Sequence, residues 1–212
     1  MRKPKLVLIL ILLFVFCSGA FAGFGMRPYV SGWFGASLCH GTAQYLQEYP
    51  GDASVRTPLL RTSTDFGFDV QLVEPMISVG KDDAFTFGVG FSYLNVSQSI
   101  AYGRSILKPY SGFGLSADMG WKSGSGFNVN LKYRYLYCTY TGSFSSFIAQ
   151  DFEIAPGYYV ASPWALDICV SLPLTVSYKA DAISFRAGIC VLVALDSVKV
   201  KQIRSSEEGG EL

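Results

Sequence analysis

The residues best suited to chemistry are few, and most carry charge. Asp69, Glu74, Asp118 and Asp167 lie in stretches otherwise rich in Gly, Ser, Thr and Asn, and so do Lys132, Arg134 and Arg186. Groups of this kind can pair as ions, line a narrow wet passage or hold a solute, and they are costly when buried without a partner. The sole histidine, His40, is the one ready general base, with Ser37 and Asp52 nearby in sequence. A catalytic base needs a group that orients it, and no such group is specified. No catalytic residue is therefore assigned, and the chain reads as a non-enzyme. Lipid acyl transfer or deacylation at a membrane rim is the most distant alternative. With one histidine and no ligand spacing, neither a metal nor another cofactor is expected.

The elements that must position these residues start with composition. The chain has 212 residues, 50% hydrophobic and 16% charged, with a net charge of +1. That excludes a disordered chain, and without a polybasic block nucleic acid is not an expected partner. Arg2, Lys3 and Lys5 precede the apolar run Leu6 to Phe16, and Ala20-Phe21-Ala22 supplies small residues for cleavage. Residues 1–22 therefore read as a secretory signal, cut after Ala22 and shorter than a spanning helix. Three of the 17 Lys and Arg leave with it, so 14 remain against 16 Asp and Glu. No later apolar run is long enough to span as a helix.

The remainder alternates with period two, the signature of strands. From Phe127 to Thr141, Phe127, Val129, Leu131, Tyr133, Tyr135 and Tyr137 face one way, and Asn128, Asn130, Lys132 and Arg134 the other. Similar patterns run over 64–79, 84–96, 112–121, 164–178 and 183–195, with a weaker one over 27–38. The pattern slips at Glu74-Pro75. Proline has no N–H for a ladder, so a bulge or kink there turns Glu74 to the polar face. Connections at 80–83, 122–126 and 179–182 read as short turns, and those at 39–63, 97–107 and 142–163 as long loops. Short turns on one side and long loops on the other suit an up-and-down sheet that crosses a membrane.

The polar faces are mostly Gly, Ser, Thr and Asn, which fits a narrow interior better than a solvated surface. Aromatic residues collect at the strand ends. Phe85, Trp121, Phe127 and Tyr178 fall beside the short turns, and Tyr93, Tyr137 and Trp164 toward the long loops, as two interfacial girdles. A turn centred at Lys179-Ala180 sets Cys169 opposite Cys190, a candidate disulfide in an exported chain. Phe144, Phe147, Ile148, Phe152, Tyr158 and Tyr159 read as contact residues on the third long loop.

With these features the chain resembles the small outer-membrane β-barrels of the OmpA, OmpX and OmpW kind. The resemblance rests on the signal and the alternation over 27–196. It implies an all-β, up-and-down antiparallel transmembrane β-barrel of about eight strands, with short periplasmic turns and long outer loops. Seven strands are strong, and the eighth is sought at Ser197 to Arg204, where Val198 and Val200 alternate with Lys199 and Lys201. The expected organisation is a signal at 1–22, a barrel at 23–196, and a tail or short last strand at 197–212. The expected partners are outer-membrane lipid and the barrel-assembly machinery. The expected function is envelope structure with narrow, porin-like passage of small solutes; the lumen charges read first as a salt-bridge network that plugs the barrel, and otherwise as the rearranging gate of a narrow pore. Adhesion to host-surface proteins through the long loops is the alternative.

Overall fold

The computed structural model describes residues 25–41, 59–79, 83–100, 109–142, 146–160, 166–179 and 182–195. The expected signal, Asp52, Phe144, Trp164 and the tail from 197 lie outside these residues, as do the side chains of Cys39 and His40. Every element described is a strand: β1 (Gly25–Met26), β2 (Tyr29–Gly41), β3 (Leu59–Val73), β4 (Pro75–Val79), β5 (Asp83–Ile100), β6 (Tyr110–Lys122), β7 (Phe127–Tyr140), β8 (Ser146–Val160), β9 (Leu166–Ser171), β10 (Leu174–Lys179) and β11 (Ala182–Leu195). They make eight staves, because β1 runs on into β2, β3 into β4, and β9 into β10.

Each stave pairs antiparallel with the next in the chain. The last stave, β11, pairs with the first along its whole length, from Ala182 opposite Gly41 to Ala194 opposite Tyr29. The wall is thus a closed up-and-down barrel, and closure leaves no open edge of unpaired N–H and C=O groups. No helix among the described residues is long and apolar enough to cross a membrane.

Three staves are broken where proline removes a ladder donor, the first of them at Arg27-Pro28. The second breaks at Glu74-Pro75, with a register shift between Gln71 and Val73, and Glu74 is buried. The seventh breaks at Leu172-Pro173, where the Leu172 amide donates to the Pro156 carbonyl of β8 at 2.9 Å. One turn is tight. Gly126 takes φ +92° and donates its amide to the Ser123 carbonyl at 2.9 Å, a backbone shape that glycine adopts without strain.

Two expectations are corrected. The missing stave is Ser146–Val160, inside the stretch read as a long loop, and not 197–204; the wall closes without that segment. Pro156-Gly157 and the acids Asp151 and Glu153 disguised it, yet Ile148, Gln150, Phe152 and Ile154 alternate outward against Ala149, Asp151, Glu153 and Ala155. An unnoticed stave also reverses the direction of everything after it. The connection between Lys179 and Ala182 therefore lies at the end of the barrel that carries 42–58 and 101–108, since Ala182 sits beside Gly41. This is the loop end; the opposite, terminal end is where β1 begins and β11 finishes. Tyr178 belongs to the loop end with Tyr93 and Tyr137, whereas Phe85, Trp121 and Phe127 are at the terminal end.

Candidate functional site

Strand alternation sends every second side chain into the lumen, and there the chain's chemistry gathers. Phe113 is 67% exposed on the outer wall while Asp69 is 0% exposed inside. Phe34, Leu115, Ile189 and many similar side chains complete an apolar belt around the outside.

Asp69, on β3, is the hub. Arg134 of β7 grips it with two bonds, Nε to Oδ1 and Nη2 to Oδ2, both 2.9 Å. Lys132 Nζ reaches Oδ2 at 2.6 Å, and the Ser31 and Ser92 hydroxyls donate at 3.2 and 2.5 Å. Such bidentate, charge-assisted pairing is the strong kind. Arg134 also reaches Glu153 Oε2 with Nη1 at 2.7 Å, and the Thr175 hydroxyl donates to the same oxygen at 3.1 Å. The network therefore joins opposite walls of the barrel.

A second ionic layer lies toward the loop end. Arg186 meets Asp151 at 2.5 Å and Asp65 at 3.8 Å, and its guanidinium lies 4.3 Å from the centre of the Trp33 ring. A third layer closes the terminal end. Lys122 and Arg27 meet Asp167 at 2.8 and 3.8 Å, and both cations stack on the Tyr159 ring at 4.6 Å. Cation–π contact of this kind strengthens when water is excluded.

Beyond Arg186 the lumen turns apolar. Trp33, Leu94, Val96, Tyr110, Leu136, Cys138 and Ala149 form one buried cluster, with Tyr140 and Phe147 packed against it. Lys179 caps it, its Nζ 4.6 Å from the Tyr110 ring centre and hydrogen-bonded to that hydroxyl.

The structure places all seven charged residues singled out in the sequence inside the lumen, but not as one network. Asp69, Lys132 and Arg134 meet. Arg186 and Asp167 belong to separate layers. Glu74 and Asp118 are buried on the two staves that flank β5 and make no ion pair within 4.0 Å among the described residues, although the charge of Arg27 acts on Glu74. Arg27, Asp65, Asp151 and Glu153 escaped the sequence reading; for the last two, the alternation within 146–160 was the available signal.

The candidate disulfide is corrected as well. Cys138, Cys169 and Cys190 are free, buried thiols. The last hairpin places Cys169 opposite Leu192 and Cys190 opposite Ser171, two positions off the assumed register, and a disulfide needs close, facing Cβ atoms. His40 lies within β2 and not in a loop, and the Ser37 hydroxyl is engaged with Ser63 at 2.6 Å. Phe152, Ile148 and Tyr158 point outward from a wall strand, while Tyr159 points in.

A closed eight-staved wall, apolar outside and ionic within, is the architecture of the small outer-membrane β-barrels. No family model and no curated protein matches the chain. Among solved structures it is similar to Neisserial surface protein A, at 12% identity and TM-score 0.43, covering 78% of this chain and 96% of that one. It is also similar to Ail, the attachment invasion locus protein of Yersinia pestis, at 9% identity and TM-score 0.39, covering 80% and 99%. A third is the outer membrane protease OmpT from Escherichia coli, at 7% identity and TM-score 0.31, covering 82% and 98%. The assignment to the class rests on the barrel's own register and not on these scores.

Proposed function

We propose that the chain resides in an outer membrane as a non-conducting barrel, and that it works through the surface it presents at its loop end. The apolar belt supports the location, because such a surface in water would be an aggregation hazard and the staves exceed the roughly 9 to 11 residues a tilted crossing needs. The observation that carries the non-conducting reading is the Asp69–Arg134–Glu153 bridge. It spans the lumen with one ionic layer on either side, and the apolar cluster lies beyond the layer toward the loop end. A barrel of eight staves has an interior only wide enough for its own side chains, and here they meet. Passage of small solutes would require this bridge to part.

The expected result is that purified barrel in planar lipid bilayers passes no resolvable current at either polarity. Discrete, reproducible openings in the unmodified protein would overturn the reading and restore the porin-like one. Surface contact is tested by replacing 42–58 with a short Gly-Ser linker and measuring binding to extracellular-matrix proteins. The stretch 143–155 is unsuitable for such a deletion, because most of it is wall.

A further inference from the structure

The outer wall is not evenly filled. Phe87 pairs with Met119, Met119 with Leu131 and Leu131 with Ile154, all facing outward. The same row continues through Leu174 and Ala187 to Ala36. A second outward row lies two residues nearer the loop end, through Ala117, Tyr133, Phe152, Val176, Phe185 and Leu38. Between the two rows runs a groove of about 1040 Å³. Its floor is backbone, because the residues between the rows, Lys132, Glu153 and Arg186 among them, turn their side chains into the lumen. Side-chain size opens it. Ala36, Ala117 and Ala187 are the exposed alanines among the described residues, and all three border the groove.

The groove crosses the staves from β5 round to β2, and six steps of about 4.8 Å make it about 29 Å long. It begins at Phe87, beside Phe85 of the terminal-end girdle, and climbs to Leu38, close to Gly41 at the loop end. Strands in such barrels tilt by about 35–45°, so a groove that runs across them is oblique to the barrel axis as well. Its walls are apolar apart from the Tyr133 hydroxyl, and that group is bonded to Gln150. Past Ala36 the first row turns polar: Ala36 pairs with Thr64, and Thr64 with Ser97. Those two hydroxyls share an exposed hydrogen bond of 3.0 Å.

An occupant must be narrow, apolar and unbranched. The two rows stand about 7 Å apart along the strands, which admits a hydrocarbon chain and excludes a helix of about 10 Å diameter. Water finds no polar partners there, and an empty groove would forfeit dispersion contact along its whole length. We propose that the groove holds one acyl chain of a membrane lipid, laid obliquely across the wall, with the lipid's polar part at the Thr64–Ser97 end. The proposal rests on the outer-membrane reading given above, because it needs this wall to face hydrocarbon. Recognition is by the chain and not by the head, since no charged side chain lines the two rows.

The test inserts the full chain into vesicles of dioleoyl phosphatidylcholine, releases it into detergent and weighs it by native mass spectrometry. The expected spectrum is a monomer that keeps one phospholipid through repeated detergent washes. Ala36→Phe and Ala187→Phe fill the groove with an apolar ring, and each should lower the retained fraction by at least about fivefold. Ala117→Leu, a milder change, should lower it in the same direction and serves if either fails to fold. Val193→Phe, on the outer wall away from both rows, should leave it unchanged. Dioleoyl phosphatidylglycerol should be retained as well as the choline lipid; a preference of more than about tenfold for the anionic head would place the contact at the head and overturn the proposal. A barrel shown to be folded by heat-modifiable gel mobility, yet free of lipid, also overturns it. So does retention that is equal in all the groove variants, which places the lipid elsewhere. A lipid-free dimer overturns it too and gives the groove to a second copy. A chain that never enters the vesicles defeats the membrane reading itself, and the groove proposal falls with it.

Discussion

The two halves of one lumen are filled by opposite means. Around Asp69 the inward residues are ions held by short, charge-assisted bonds. Around Leu136 they are aliphatic and aromatic, and the cluster resembles the core of a water-soluble protein. Both halves obey the same inward parity on the same staves: Lys132, Arg134, Leu136 and Cys138 follow one another on β7. Alternation therefore tells inside from outside but not what the inside is made of. The ionic half gains geometric specificity, because each ion accepts only certain partners and is expensive to strand. The apolar half gains shape-dependent packing and excludes water from the loop end.

The largest expected effect tests the ionic half. Asp69→Ala leaves Lys132 and Arg134 buried with Glu153 as their nearest remaining counter-charge, and should destabilise the barrel by about 3–5 kcal/mol. Urea unfolding of the refolded protein, followed by tryptophan fluorescence, measures it. A loss below about 1 kcal/mol would mean that water already solvates this layer, and the contrast between the halves would collapse. Leu136→Ala tests the apolar half. Its side chain is fully buried, and removing it should cost about 2–5 kcal/mol through lost burial and the cavity left behind. Leu136→Met, which nearly conserves volume, should cost less than about 1.5 kcal/mol by the same assay. If the two variants behave alike, the cluster is not a packed core. The smallest effect belongs to the outer wall. Tyr133→Phe removes an exposed hydrogen bond of 3.2 Å to Gln150 and should change stability by no more than about 0.5 kcal/mol.

The wall was largely legible. The runs around Phe85, Phe113, Phe127 and Phe185 each announce a strand, because a pleated strand with lipid on one side and a packed lumen on the other must alternate. The eighth stave was harder to read. Pro156-Gly157 reads as loop punctuation, and Asp151 and Glu153 as solvated acids, until Arg134 and Arg186 stand across the lumen from them. Missing it hid half of the counter-charges for those arginines and put the Lys179 turn at the wrong end. The cysteine pairing failed for a narrower reason: a register shift of two residues exchanges every cross-strand partner while leaving parity intact.

What the chain alone determined is parity: which side chains meet lipid and which meet one another, because lipid tolerates no polar face and no open edge. Only the closed structure decided partnership. Asp69 meets Arg134, Asp151 meets Arg186, and Asp118 fills the space beside Gly88, because these contacts depend on the register and on staves far apart in sequence.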